Sequence, residues 1–235
     1  MKLEDKHCLV IGIGAGTGAA VARRFAKEGH QISMIARGEE RLSAFAGEIP
    51  NSTPYRSDIS DSEGFRTTLR RICEEQGSPR HVIYNATQAT FGTLLDIDTE
   101  KYERNFRVNA TGLLIAAQEL SPAMVEAGRG SIVITGNTAA LRGKPNYVGW
   151  ASTKAAQRNL AESLARELGP SGVHVAYVVI DAVIDMPFAR KRWPDFPDDF
   201  YAKPADLAAE IYHLANQPRS ARSFLIELRP FGEKW

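Results

Sequence analysis

The sequence predicts a doubly wound α/β fold, in which a parallel sheet of seven strands carries helices on both faces. Short β-branched runs alternate with longer helical patterns from one end of the chain to the other, as βαβ crossover units require. Several of these runs, such as CLVIGI at 8–13 and VHVAYVVI at 173–180, are almost entirely apolar. Continuous apolar runs are typical of strands that are buried on both faces.

Each predicted element follows from one such run or pattern. The predicted strands are His7–Ile13, Gln31–Ala36, Thr53–Arg56, His81–Tyr84, Gly130–Thr135, Val173–Ile180 and Ser223–Leu228. The predicted helices are Gly16–Glu28, Glu39–Glu48, Ser62–Gln76, Lys101–Ala127, Tyr147–Leu168 and Pro204–Asn216. The stretch around 185–203 is irregular and rich in proline and aromatic residues, which predicts a substrate lid.

Composition excludes several classes of function. The chain has 235 residues, is 43% hydrophobic and carries a formal net charge of +1, which favours one globular domain over residues 1–235 and gives no sign of nucleic-acid or membrane-surface binding. Its longest apolar run is interrupted by His174 and Asp181, so we expect no membrane span and a cytoplasmic protein. The five histidines and two cysteines lack ligand spacing, and we therefore expect no metal site.

A glycine-rich segment, IGIGAGTGAA at 11–20, joins the first predicted strand to the first predicted helix. Glycines there permit a tight turn and let backbone N–H groups approach a dinucleotide pyrophosphate at the positive end of the helix. Two spacings overlap in it. Gly14, Gly16 and Ala19 fit G-x-G-x-x-A, whereas Gly12, Gly16 and Gly18 fit G-x-x-x-G-x-G.

Three further motifs follow the glycine segment: YNAT at 84–87, RVNATG at 107–112 and NYVGWASTK at 146–154. Together with the second glycine spacing they resemble the short-chain dehydrogenase/reductase family over nearly the whole chain. The sequence departs from the family's motifs at Tyr84, where the family has Asn, and at Met186, where it has Thr. The resemblance implies a single NAD(P)-binding Rossmann-fold domain with strand order 3-2-1-4-5-6-7. It also implies a small-molecule substrate.

The resemblance also implies which residues bind the cofactor. These are Gly12, Gly16, Thr17, Gly18, Arg37, Asp58, Ile59, Asn85, Ala86, Lys154 and Ile184. Arg37 stands where NAD-preferring proteins usually carry an acid, and a guanidinium there would pair with a 2′-phosphate. NADP(H) is therefore favoured over NAD(H).

The catalytic residues implied by the resemblance are only partly present. Asn109 matches the helix Asn that holds a proton-relay water, and Lys154 matches the Lys that lowers the pKa of a catalytic Tyr. The Ser position is Asn137, which could donate a hydrogen bond to an oxyanion. The Tyr position is Trp150, whose indole N–H is no general acid at neutral pH.

Tyr147 offers another hydroxyl, seven residues before Lys154. That separation is about two helical turns, so the two side chains share a face if the helix starts early enough. The spacing Tyr-x6-Lys resembles the enoyl-acyl-carrier-protein reductases, a branch of the same family, although the glycine segment is of the standard type. A packing role for Tyr147 is the alternative.

Two functions remain open from the sequence. The first is an NADP(H)-dependent oxidoreductase with a non-standard active site, reducing a carbonyl or an activated (enoyl) double bond. The second is an inactive NAD(P)-binding protein of this fold that acts as a binding or regulatory module, because the Tyr and Ser positions are both substituted. We also expect a homodimer or homotetramer formed through the helices at 101–127 and 147–168.

Overall fold

The computed structural model describes residues 2–232 and contains a parallel sheet of seven strands. Its strands are β1 (Leu3–Ile11), β2 (Gln31–Ala36), β3 (Ser52–Arg56), β4 (Ser78–Tyr84), β5 (Gly130–Gly136), β6 (Val173–Ile180) and β9 (Leu225–Leu228). Their order is β3-β2-β1-β4-β5-β6-β9, with every neighbouring pair parallel. The predicted fold class and strand order are confirmed, with β9 as the seventh strand.

Helices cover both faces of this sheet. They are α1 (Thr17–Lys27), α2 (Glu39–Glu48), α3 (Ser62–Gln76), α4 (Thr99–Phe106), α5 (Gly112–Glu126), α6 (Val148–Leu168), α7 (Pro187–Arg192) and α8 (Pro204–Ala215). A separate two-stranded sheet pairs β7 (Val183–Ile184) with β8 (Tyr201–Ala202). Within residues 2–232, no helix is both long and apolar enough to cross a membrane.

Alternate side chains of β1 enter two different hydrophobic cores. Leu9 and Ile11 pack in the core formed with α3, α5 and α6, whereas Cys8 and Val10 pack in the core formed with α1, α2 and α8. Because successive side chains of a strand point to opposite faces, a strand covered on both faces is mostly apolar along its whole length. This requirement explains the continuous apolar runs of the sequence.

The predicted helix 101–127 is helical without a gap from Thr99 to Glu126, but it is not α-helical throughout. A π-helical turn, Arg107–Thr111, separates α4 from α5. The Tyr84 hydroxyl donates a hydrogen bond to the Val108 carbonyl within this turn. A Cβ at Gly112 would collide with the Tyr84 hydroxyl and with Ile59. The turn therefore depends on a contact with the end of β4, which the helical periodicity of 101–127 does not reveal.

His7 and His81 are buried in the middle of the central strands β1 and β4. The His7 ring is hydrogen-bonded to the Ser33 hydroxyl at 2.8 Å and the Gly77 carbonyl at 2.9 Å, and the His81 ring to the Ser131 hydroxyl at 2.8 Å. Burial lowers the pKa of His7 to about 4 and that of His81 to about 3. Both rings are therefore neutral in the folded protein at physiological pH.

The buried histidines predict that stability falls in mild acid. Below the unfolded-state pKa of about 6.5, the unfolded chain binds protons that the folded protein excludes, so the loss begins there and continues down to the folded-state pKa. We expect the free energy of unfolding to be roughly 2 kcal/mol lower per histidine at pH 5 than at pH 7.5. Urea denaturation at the two pH values measures this difference.

The variant His81→Gln should lose roughly 2 kcal/mol of this pH dependence, whatever its stability at pH 7.5. The matched control is His213→Gln, because His213 is exposed on α8, and it should retain the full dependence. An unchanged pH dependence in His81→Gln would show that the buried ring is not responsible.

Candidate active site

Two loops meet at the carboxyl ends of β1 and β4. Gly12 has φ of +89°, and a Cβ on it would lie 2.5 Å from the backbone of Ala86. Gly18 is equally confined, because its Cβ would lie 2.9 Å from the Gly12 carbonyl oxygen and 3.0 Å from Asn85 Nδ2. Only glycine fits these two positions without displacing the neighbouring loop.

The space around each glycine distinguishes between the two possible spacings of the glycine motif. A Cβ on Gly16 would lie 2.6 Å from the Met186 sulfur, whereas a Cβ on Gly14 would have nothing within 4 Å. Gly12, Gly16 and Gly18 are thus the crowded positions, which supports the G-x-x-x-G-x-G spacing. Thr17, the first residue of α1, has a buried hydroxyl without a hydrogen-bond partner among residues 2–232.

Asn85 ties the ends of three strands together. Its Nδ2 donates to the Gly12 carbonyl at 2.8 Å, and its Oδ1 accepts from the Thr135 hydroxyl at 2.9 Å. These partners stand at the ends of β1 and β5, so the Asn85 carboxamide at the end of β4 holds the three strand ends together. We call these three strand ends the floor of the site. Asn85 and Ala86, both predicted as cofactor residues, lie together beside the glycine segment.

A cleft of about 940 Å³ opens beside this floor. Its lining residues are Gly12, Ile13, Gly14, Ala36, Arg37, Gly38, Glu39, Glu40, Arg41, Ser57, Asp58, Ile59, Asn85, Ala86, Thr87, Gln88 and Val108. Arg37 is exposed in it, directly after β2. The structure therefore brings together the predicted residues for the adenosine half of a dinucleotide: Gly12, Arg37, Asp58, Ile59, Asn85 and Ala86.

The Asp58 carboxylate is held on both oxygens. Ser60 donates from its backbone N–H at 3.0 Å and its hydroxyl at 2.7 Å to one oxygen, and Arg104 lies 2.8 Å from the other. Partial burial opposes ionisation, but the bonds from Ser60 and the charges of Arg104 and Arg37 outweigh it, so the pKa of Asp58 is lowered. The cleft thus holds a fixed anion beside Arg37.

Asn109 lies in the π-helical turn and is fully buried. Its Oδ1 accepts from the Gln88 N–H at 3.0 Å, and its Nδ2 donates to the Gln88 carbonyl and to the Thr153 hydroxyl, each at 2.8 Å. The side chain therefore holds the loop after β4 against α6. Its backbone carbonyl accepts a bond from Gln157 at 2.7 Å.

Lys154 is 1% exposed, on the face of α6 that meets the sheet. Its ammonium donates to the Thr135 carbonyl at 3.3 Å and to the Gln157 side-chain oxygen. Desolvation by burial lowers the pKa of Lys154 to about 7. Near neutral pH the side chain therefore exchanges between its charged and neutral forms.

Asn137 directly follows β5, at the position of the family's Ser. Its Oδ1 accepts from the Ala139 N–H at 3.0 Å and caps the 3₁₀ turn Thr138–Ala140. The side-chain oxygen thus has a structural role. Hydrogen-bond donation to a reacting oxygen would have to come from the Nδ2 group.

Tyr147 does not lie in the helix that carries Lys154. Helix α6 begins at Val148, and Tyr147 is its N-cap residue, with φ −106° and ψ 10°. The condition for the two-turn spacing, a helix that begins early enough to include Tyr147, is therefore not met. Instead, the Tyr147 ring packs in an aromatic cluster with Phe91, at a centroid distance of 5.3 Å, and Trp150, at 5.5 Å.

Trp150 stands at the position of the family's Tyr and packs edge-on against Phe91 at 5.1 Å. Its indole N–H is buried and has no hydrogen-bond partner within the described chain. A buried donor without an acceptor costs roughly 1–3 kcal/mol. An oxygen acceptor on a bound molecule would remove that cost.

Charged side chains within the predicted lid, residues 185–203, pair with one another. Asp185 pairs with Arg190, at 2.6 and 2.8 Å, and with Lys203, at 2.8 Å. Asp198 pairs with the same two cations. These hydrogen bonds from Arg190 and Lys203 hold the pKa of Asp185 well below its usual range. Because two carboxylates already occupy Arg190, it is not arranged as a receptor for a substrate anion.

The same segment carries Ile184 and Met186 towards the glycine segment. Ile184 lies in β7, and its Cγ2 would be 3.5 Å from a Cβ on Gly16. Met186 covers Gly16 at the N-terminus of α1. The family's Thr at this position would supply a hydroxyl, whereas here an apolar side chain occupies the space.

Sequence reasoning missed Gln157, which is fully buried. It lies on the face of α6 formed by Lys154, Gln157, Ala161, Leu164 and Leu168, all of which are buried. A glutamine at helical spacing within an otherwise apolar stripe is the signal that could have found it. Among residues 2–232, no group of three or more His, Cys, Asp or Glu side chains could hold a metal ion.

The geometry of the glycine segment predicts unequal effects of two substitutions. Gly12→Ala combines an unfavourable φ with a collision against Ala86, and we expect a loss of about 3 kcal/mol of stability, or roughly 10 °C in Tm. Gly14→Ala has open space and should change Tm by no more than about 2 °C. Thermal unfolding of the two variants measures the contrast. Equal losses in both would contradict it.

Comparison with known proteins identifies the family to which this chain belongs. Residues 6–194 match the short chain dehydrogenase family. Glucose 1-dehydrogenase of Gluconobacter oxydans is 28% identical over 207 residues, which cover 86% of this chain and 77% of that protein. The 3-oxoacyl-[acyl-carrier-protein] reductase MabA of Mycobacterium bovis is 27% identical over 224 residues, which cover 92% of this chain and 87% of that protein.

A solved structure resembles the whole chain. The alcohol dehydrogenase of the archaeon Thermococcus sibiricus, complexed with 5-hydroxy-NADP, matches with a TM-score of 0.86 and 25% sequence identity, over 98% of this chain and 99% of that one. The glycine segment, the cleft beside it and the buried Lys154 thus occur in a chain that belongs to the short chain dehydrogenase family, a family of NAD(P)-dependent oxidoreductases.

Proposed function

We propose that this chain is an NADP(H)-dependent oxidoreductase that reduces a carbonyl group or an activated, enoyl double bond of a small molecule. The observation that carries the proposal is the cleft lined by both Arg37, directly after β2, and Arg41, in α2. A 2′-phosphate on the adenosine ribose would meet two guanidinium groups there. Glu39 lines the same cleft but is paired with Arg56 at 3.6 Å.

The residues present fit a dinucleotide. Gly12 and Gly18 admit no side chain, as in a tight turn beside a pyrophosphate. The Thr17 hydroxyl, which has no hydrogen-bond partner among residues 2–232, stands at the positive end of α1. Two of the three N–H groups of the Lys154 ammonium bond to Thr135 and Gln157. The third would bind the hydroxyls of the nicotinamide ribose. When bound, the cofactor supplies the hydride.

Tyr147 is the proposed proton donor, or the donor of a hydrogen bond to an enolate oxygen. Its ring lies against the ring of Trp150 at a centroid distance of 5.5 Å, and Trp150 stands at the family's Tyr position. The ring that carries the Tyr147 hydroxyl thus contacts the side chain at the position of the family's acid. In an enoyl thioester the carbonyl oxygen is not bonded to the carbon that accepts the hydride. A hydroxyl away from the family's usual position would suit an oxygen placed in this way.

A second candidate function is an NADP(H)-binding module without chemistry. It is favoured by Trp150, by the capping role of Asn137 and by Met186 over Gly16. Turnover of an enoyl or carbonyl substrate that Lys154→Ala abolishes, while the folded state persists in circular dichroism, would exclude it. We further propose that the chain forms a homodimer or homotetramer through α4, α5 and α6.

The first prediction from the proposal concerns the cofactor. Binding of NADPH should quench tryptophan fluorescence saturably, because Trp150 lies near the proposed nicotinamide site, and NADPH should bind more tightly than NADH. Loss of a charge-assisted phosphate contact costs about 1.5–3 kcal/mol, so Arg37→Ala should weaken NADPH binding roughly 10- to 100-fold and leave NADH binding almost unchanged. Titration of both nucleotides measures this.

The matched control for Arg37→Ala is Arg166→Ala, since Arg166 is an exposed arginine near the end of α6, and it should leave both affinities unchanged. Equal affinity for the two nucleotides in the unmodified protein would remove the preference for NADP(H). Absence of binding for both, confirmed calorimetrically, would remove the oxidoreductase proposal altogether.

The second prediction concerns the hydroxyl of Tyr147. Tyr147→Phe keeps the ring that packs on Phe91 and Trp150 but removes the oxygen, and turnover should fall at least about tenfold, or about 1.4 kcal/mol of barrier. Steady-state rates with enoyl and carbonyl substrates measure the change. Trp150→Tyr is the companion variant, and it should increase ketone reduction because it restores a hydroxyl at the family's position. Unchanged turnover in Tyr147→Phe would assign that residue to packing.

A further inference from the structure

Gln157 uses both ends of its side chain inside the protein. Its Oε1 accepts from the Lys154 ammonium and from the Tyr177 hydroxyl at 3.3 Å, and its Nε2 donates to the Asn109 carbonyl at 2.7 Å. The residue has no exposed surface. Transfer of an amide from water without compensating bonds costs several kcal/mol, so a carboxamide is retained here only because its bonds are made.

These bonds connect four elements around the buried ammonium. Gln157 and Lys154 lie in α6, Asn109 in the π-helical turn, Tyr177 in β6, and the second acceptor of Lys154 is the carbonyl of Thr135 in β5. A buried ammonium is stable only when acceptors replace its water shell. Gln157 is the only side-chain acceptor of Lys154 among the hydrogen bonds of residues 2–232.

The side chain of Tyr177 supports the contact between Gln157 and Lys154. A Cβ on Gly136 would collide with the ring and hydroxyl of Tyr177, so glycine at the end of β5 lets that ring lie flat against the strand. Burial raises the pKa of Tyr177, which keeps its hydroxyl protonated. The hydroxyl donates to Gln157 Oε1 while Gln157 Nε2 donates to the Asn109 carbonyl, and these two bonds place the oxygen of the carboxamide on the side of Lys154.

We propose that Gln157 is a positioning residue for Lys154, which keeps the ammonium charged and leaves one of its N–H groups for the cofactor. This inference deepens the proposed function and rests on it for the cofactor contact alone. A carboxamide orients and stabilises a charge but does not pass a proton on, so Gln157 acts through Lys154 and not on the substrate.

The test compares two substitutions of Gln157 with one control. Gln157→Met keeps the length of the side chain and removes both polar groups, whereas Gln157→Glu keeps the shape and adds a negative charge. Gln118→Met is the control, because Gln118 is exposed on α5. The proton affinity of Lys154 is measured from its ¹³Cε resonance during a pH titration without cofactor, with the resonance assigned by its absence in Lys154→Met.

The proton affinity of Lys154 should fall about tenfold in Gln157→Met, since an acceptor of the ammonium is lost, and rise about tenfold or more in Gln157→Glu, since a carboxylate is gained. Gln118→Met should leave it unchanged. A purely structural role would lower Tm without moving this titration. Gln157→Glu is the variant that best preserves the fold. If Lys154 titrates in this variant as it does in the unmodified protein, the proposal is overturned.

A second measurement separates this inference from the proposed function. NADPH should bind about tenfold more weakly to Gln157→Met than to the unmodified protein at pH 7, because less Lys154 is charged and oriented. Equal affinities would overturn the positioning role. If the unmodified protein binds neither NADPH nor NADH, the proposed function fails, while the titration of Lys154 still decides the contact with Gln157.

Discussion

The carboxamide of Asn85 holds the ends of β1, β4 and β5 at one place, and the rest of the site is arranged around that contact. It donates to the carbonyl of Gly12 and accepts from the hydroxyl of Thr135. Gly12 can approach only because it lacks a side chain that would meet Ala86. The same three strand ends then provide the glycine segment, the floor of the cleft and the carbonyl that receives Lys154.

A chain of buried polar groups leads from this floor into α6. Asn109 fixes the loop after β4 through Gln88 and reaches Thr153, while its own carbonyl receives Gln157. Gln157 in turn receives Lys154. Each group compensates the desolvation of the next, so the network is stable only as a whole. Burial of the ammonium lowers the pKa of Lys154 to about 7.

The departures from the family pattern are accommodated by packing. Tyr84 fills the space beside Gly112 and bonds to the Val108 carbonyl, Asn137 caps a 3₁₀ turn, and Met186 covers Gly16. Trp150 joins an aromatic cluster and keeps an indole N–H without a partner among residues 2–232. Three of these four substitutions therefore have a structural explanation, and the site of Trp150 is the one that still calls for an acceptor.

The amino-acid sequence by itself determined the sheet, because apolar period and burial on both faces are local patterns. The bounds of β2, β6, α2 and α3 were predicted to the residue, and the glycine segment was placed correctly. Only the tertiary structure showed which glycines are crowded, placed a π-helical turn within the predicted helix 101–127 and placed Tyr147 outside α6. It also brought Gln157 to Lys154. The clash with Ala86 and the bond from Tyr84 come from residues distant in the chain. Gln157 is only three residues from Lys154, but the packing of α6 on the sheet decides that this face of the helix is buried.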